Sequence, residues 1–132
     1  MMKRILISLC ALSMTVAAVA QKWAPVGENI KSPWAAEVDP SAPLPEYPRP
    51  QMVRADWMNL NGLWNYAITE ASAETFKADG KILVPFAVES SLSGVGRKIT
   101  KDNALWYERT FTLPRKWNGK NVLLHFGAVD WQ

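Results

Sequence analysis

Twelve carboxylates, one histidine and one cysteine are the groups through which this 132-residue chain could do acid–base, metal or nucleophilic chemistry. Hydrolysis by a carboxyl pair needs the two groups flanking the bond, about 5–10 Å apart, and spacing along the chain selects no such pair. Glu89 is distinguished by position. It lies in Pro85-Phe86-Ala87-Val88-Glu89-Ser90-Ser91, after a short apolar run and before a glycine-containing loop. Functional groups concentrate in such loops because a rigid scaffold presents them to solvent; the same place also suits an ordinary solvated carboxylate. His125 alternates against Val122 and Leu124, as a surface or cross-strand histidine does. With no second histidine, and no cysteine beyond Cys10, no zinc ligand set is expected, nor any other cofactor. Ser93 lacks the glycine two residues earlier that a nucleophile elbow requires, since position 91 is Ser91. Gly94 and Gly96 lack the third glycine of a dinucleotide fingerprint, since position 99 is Ile99. These glycines are read as loop formers, and no catalytic residue is expected in the chain.

The elements that must carry these groups have a period of two. Trp64, Tyr66 and Ile68 share one face of a strand that follows Asn61-Gly62, and Lys81 to Val84 forms a short strand stopped by Pro85. From Leu105 to Leu113, the residues Leu105, Tyr107, Phe111 and Leu113 oppose Trp106, Glu108, Thr110 and Thr112. From Asn121 to Val129, Val122, Leu124 and Phe126 oppose Leu123, His125 and Gly127. Asn118-Gly119 lies between these last two runs and predicts a turn, hence an antiparallel pair. Residues 71–78 suit one or two helical turns or a surface excursion, the second being favoured by their low hydrophobicity. The fold class expected is all-β.

Seven of the nine prolines fall between Pro25 and Pro50. Proline has no N–H and a fixed φ, so this stretch is expected to form neither helix nor inner strand. It suits an extended lead-in packed over the domain, with Trp23 and Trp34 as anchors, or, over residues 21–40, a flexible linker.

Residues 1–20 have the pattern of a secretory signal. Lys3 and Arg4 precede an apolar run from Ile5 to Val19, and Ala18-Val19-Ala20 offers a small-x-small cleavage site. The run is shorter than the ~20 residues a spanning helix needs, so no membrane segment is expected after cleavage. Leu9 before Cys10 argues against a lipoprotein signal. The cleaved chain, exported to the periplasm or beyond, has no cysteine and so no disulfide. Lys3 and Arg4 leave with the signal while all twelve acids remain, which reduces the net charge from +3 to +1. Nucleic-acid binding needs a clustered basic face, and none is visible. Seven tryptophans suit either a sandwich core, as for Trp64, or sugar stacking.

Four stretches, in order, resemble glycoside hydrolase family 2, which contains β-galactosidases, β-glucuronidases and β-mannosidases. They are Tyr47-Pro48-Arg49-Pro50 running on to Asn59-Leu60-Asn61-Gly62-Leu63-Trp64-Asn65-Tyr66; Ile82-Leu83-Val84-Pro85-Phe86 with Glu89-Ser90-Ser91-Leu92-Ser93-Gly94; Leu105-Trp106-Tyr107-Glu108-Arg109-Thr110-Phe111; and Gly119 through Trp131. The resemblance spans about residues 44–131 and implies a jelly-roll-like β-sandwich of the galactose-binding-domain type. In the family this sugar-binding domain precedes an immunoglobulin-like domain and a TIM barrel, which carries both catalytic glutamates. No residue here matches those glutamates.

The resemblance implies the following organisation: 1–20 signal peptide, 21–46 proline-rich lead-in, 47–132 the first part of the sugar-binding sandwich. A sandwich needs about seven strands and four are read here, so the domain is expected to be cut short after Asp130-Trp131-Gln132. Loops of this domain wall the active-site cleft in the family. Glu89 and Arg97, on the loop from Glu89 to Asn103, are therefore the candidate substrate-binding residues. Carbohydrate is the expected partner, through an enzyme that hydrolyses O-glycosyl bonds; a stand-alone carbohydrate-binding module is the alternative.

Overall fold

An apolar alternation becomes a strand only where a neighbour completes its hydrogen-bond ladder, and one segment of this chain has a neighbour on each side. The computed structural model describes residues 22–129. Its centre is an antiparallel three-stranded sheet of β1 (Gly62–Glu70), β2 (Gly80–Val84) and β3 (Asn103–Glu108), in the order β2-β1-β3. The register sets Leu63 opposite Leu83, Trp64 opposite Ile82, Tyr66 opposite Tyr107 and Ala67 opposite Trp106. The all-β class is thus seen as mostly strand and coil with short 3-10 turns. The shared face expected for Trp64, Tyr66 and Ile68 holds, and it includes Ile82, Leu105 and Tyr107.

Both faces of the sheet are covered near its centre. Ile82 and Leu83 are neighbours on opposite faces, and each is 0% exposed. Ala67, at 1%, is buried on the Leu83 face. On that face Phe76 stacks on Trp106 with centroids 5.1 Å apart, and the Trp106 indole N–H donates to Thr69 Oγ1 at 2.8 Å. Residues 71–79 therefore form a surface excursion with no helix, attached by Phe76 on Trp106 and by the Asp79 carboxylate, which accepts from Ile68 N–H at 3.0 Å. Beyond Trp106 the face turns polar. Lys81 donates to Asn65, which donates to Glu108, a cross-strand polar row spanning all three strands.

Two expectations about the last part of the chain are corrected. The strand expected from Leu105 to Leu113 ends at Glu108, and no strand pairing among the described residues includes 121–129. Alternation specifies which side of a strand is apolar but supplies no partner, and here no strand lies beside 121–129. Leu123, Leu124, Phe126 and Val129 are consequently exposed. The Asn118-Gly119 turn does form. Asn118 has φ −59° and ψ 131°, Gly119 has φ +77°, and Lys120 N–H donates to Trp117 C=O, the geometry of a type II turn. It connects irregular segments instead of two strands. The expectations for residues 1–20 and for Asp130-Trp131-Gln132 lie outside the described residues.

The proline-rich stretch differs in one respect from expectation. It holds two short 3-10 helices, Pro33–Glu37 and Pro50–Met52. Each starts on a proline, where the missing N–H is one the first turn leaves unbonded anyway. The packed lead-in is the reading that fits. Asn59 and Asn61 donate to the carbonyls of Leu44 and Pro43 at 3.0 and 3.2 Å. Trp23 is an anchor, as expected. Trp34 is not, since it is 69% exposed.

Asp56 ties the irregular segment after β3 to the chain between the lead-in and β1. Its two carboxylate oxygens accept from Lys116 and Lys120, each at 2.8 Å, and these partners hold the carboxyl well below the usual carboxylate range. A depressed folded-state value stabilises the fold above the unfolded value of about 4, and that stabilisation is lost as pH falls through the folded value. Acid titration of Asp56→Asn, followed by circular dichroism, is expected to show a shallower loss of stability below about pH 4 than the wild type. The pairs are exposed, so the effect is small and salt-sensitive. Identical acid profiles for the two proteins would remove the tie.

Candidate functional site

The candidate site is built from the loop that leaves β2 and from the face of β3 beside it. Phe86 N–H donates to Leu83 C=O and Ser90 N–H to Ala87 C=O, so the chain turns tightly after β2. Ser90 then caps a short 3-10 helix, Ser91–Ser93, through its hydroxyl, which accepts from Leu92 N–H. Ser93 is the hub of the loop. Its fully buried hydroxyl lies 2.7 Å from Ser90 C=O and 3.1 Å from Val88 C=O, and it accepts from the N–H groups of Val95 and Gly96. Gly94 and Gly96 have φ of +77° and +63°, which accounts for glycine at both positions.

This framework brings the two sequence-predicted residues to one loop neck. Arg97 N–H donates to Val88 C=O at 3.2 Å, next to Glu89. Both side chains are exposed, and no ion pair between them is among those formed by the described residues. A third group, which sequence reasoning did not single out, lies on the Trp64 face of the sheet. Tyr107, 42% exposed, has its phenol raised above its ordinary value, first by partial burial and second by the Glu89 carboxylate. Tyr107 also meets Trp64 edge to face, with ring centroids 6.5 Å apart. The signal that could have found Tyr107 was its place on the Trp64, Tyr66 and Ile68 face, opposite Tyr66.

Below this cluster the motif residues have structural tasks. Leu60 C=O accepts from the Trp64 indole at 2.8 Å and from Arg109 Nη1 at 2.6 Å. Arg109 Nη1 also donates to Asn61 C=O at 2.9 Å, and its guanidinium lies 5.9 Å from the Trp64 ring centroid. The guanidinium thus fastens the start of β1 to the chain just past β3.

What the region offers chemically is an exposed carboxylate and an exposed arginine at one loop neck, with the Tyr107–Trp64 aromatic pair on the sheet. That suits recognition of a polyhydroxylated ligand: a carboxylate accepts from hydroxyls, and an aromatic surface packs on C–H faces. It is not an acid–base pair. Among the described residues no group of three or more His, Cys, Asp or Glu side chains is placed to hold a metal ion. His125 lies 6.1 Å, centroid to centroid, from Trp57, away from the loop. A surface depression of about 600 Å³ lies around Leu113, Trp117 and Val122 and includes neither Glu89 nor Arg97. Among the described residues no helix is long and apolar enough to cross a membrane. No protein-family model matches the chain, and no curated protein matches it significantly. The class defined by fold and site is a β-rich domain that presents an exposed carboxylate on a structured loop and aromatic side chains on its sheet.

Proposed function

We propose that this chain is the N-terminal part of an exported family 2 glycoside hydrolase, supplying part of its jelly-roll sugar-binding domain and no catalytic residue. The observation that carries the reading is an exposed carboxylate, Glu89, on a loop held by the buried Ser93 hydroxyl, in a β-rich domain whose sheet carries the Trp64–Tyr107 aromatic pair. A polar acceptor and an aromatic surface on a rigid support are what a sugar contact requires. The ordered motif residues add support, because Asn59, Asn61, Gly62, Trp64 and Arg109 all act in one stapling network. In this reading Glu89 and Tyr107 touch the substrate, Arg97 borders it, and the acid/base and nucleophile glutamates come from a downstream barrel.

The test is the nucleotide sequence following codon 132. In-frame sequence encoding an immunoglobulin-like domain and a barrel is expected; a stop with no barrel sequence beyond it would exclude the enzyme. In the whole enzyme, Glu89→Gln is expected to raise KM for an aryl glycoside about tenfold with kcat nearly unchanged, the loss of one charge-assisted hydrogen bond made equally in ground and transition states. An unchanged KM would remove Glu89 from the site. Sugar binding by the chain alone, measured by calorimetry in the absence of any barrel, would instead favour the stand-alone module.

A further inference from the structure

The segment just after the expected signal cleavage site is strapped across the Glu89–Arg97 loop. Val26 N–H donates to Ser91 C=O at 3.0 Å. The Trp23 indole N–H donates to Leu92 C=O at 3.2 Å, and Asn29 Nδ2 donates to the carbonyl of Glu89 itself at 3.1 Å. These three bonds join residues sixty or more positions apart, and each reaches a different carbonyl of the loop. The loop has room for the strap because of its glycines. A Cβ on Gly94 would stand 3.0 Å from Trp23 Cδ1, and one on Gly96 would stand 2.8 Å from Val26 Cγ2. Trp23 and Val26 thus seat directly on the two left-handed glycines.

We infer that residues 23–29 are a clamp that sets the Glu89–Arg97 loop, with Trp23 and Asn29 as positioning residues for Glu89. As a statement about sugar contact this rests on the reading above. As a statement about loop geometry it stands independently, and it is tested without any sugar.

The test is limited trypsin digestion of the exported chain, following cleavage after Arg97 and Lys98 relative to cleavage after Lys81 inside β2. Asn29→Ala and Trp23→Ala are each expected to speed cleavage after Arg97 and Lys98 about fivefold, the factor that one net hydrogen bond gives, with Lys81 unaffected. Trp34→Ala, which alters an exposed tryptophan of the same lead-in, is expected to change nothing. Trp23→Phe keeps a ring on Gly94 but lacks the indole N–H, and its rate is expected between wild type and Trp23→Ala. Unchanged loop cleavage in Asn29→Ala, or equal acceleration in Trp34→Ala, would overturn the clamp. If Trp23→Ala unfolds and is cut everywhere, Asn29→Ala decides alone. Accelerated cleavage together with an unchanged KM in Glu89→Gln would uphold the clamp while rejecting the sugar contact.

Discussion

Gly62→Ala is expected to destabilise the fold by about 2–4 kcal/mol, and Gly119→Ala by only about 1 kcal/mol, although both glycines have positive φ. The difference lies in what each glycine faces. Gly62 has φ +132°, and a Cβ there would stand 2.9 Å from Arg109 Nη1. That atom is the one that donates to Leu60 and Asn61, so the methyl group and the guanidinium compete for a single place. Alanine must therefore bear the backbone strain, of order 1–3 kcal/mol, and also loosen a charge-assisted bond that closes the start of β1 against the end of β3. Gly119 has φ +77° with nothing within 4 Å of its would-be Cβ, leaving the backbone cost alone. Thermal melting followed by circular dichroism separates the two, at roughly 4–8 °C per kcal/mol for a domain near this size. Equal shifts would mean that Arg109 is not what requires glycine at position 62. Arg109→Met is expected to cost the hydrogen-bond part of the Gly62→Ala value without its backbone strain, since it removes the same bonds from the other side.

This network also shows what could be read from the residues and what could not. The strands that were legible were those whose alternation had a partner close in sequence: β1 and β2, with Pro85 ending the second. The loop-forming role of Gly94 and Gly96 was legible from residue type, because left-handed turns select glycine. The seat they make for Trp23 and Val26 was not, since nothing local to residues 94–96 encodes a contact with a segment some seventy positions earlier. For the same reason Glu89 could be singled out as a loop carboxylate, whereas Tyr107 could not be joined to it. Leu60, Asn61 and Arg109 were visible only as pieces of a motif. The structure gives them a physical reason, one carbonyl shared by an indole and a guanidinium, and that reason concerns the scaffold and not the chemistry. Such motif residues carry the resemblance to a sugar-binding domain while leaving the sugar undetermined.

The largest discrepancy between pattern and structure is also the one most open to measurement. Ile82 and Leu124 occupy equally apolar, strand-like positions in the sequence, yet one is 0% exposed and the other 56%. Ile82→Ala is accordingly expected to cost about 2–5 kcal/mol, as buried truncations do, and Leu124→Ala to lie within about 0.5 kcal/mol of zero. Leu83→Ala should match Ile82→Ala, because adjacent residues on opposite faces are both fully enclosed; on a one-sided sheet only one of them would be costly. Denaturant titration of the three variants settles the comparison, with unchanged slopes confirming that only stability has moved. A cost for Leu124→Ala near that for Ile82→Ala would mean that residues 121–129 pair as a strand in solution and bury their apolar side, as their alternation predicts. A cost near zero would leave Leu123, Leu124 and Phe126 as apolar surface kept for contacts beyond those of the three-stranded sheet. In that case their alternation is a specification for pairing that the described residues do not complete, and further strands packed on this segment would be what turns the sheet into the sandwich proposed above.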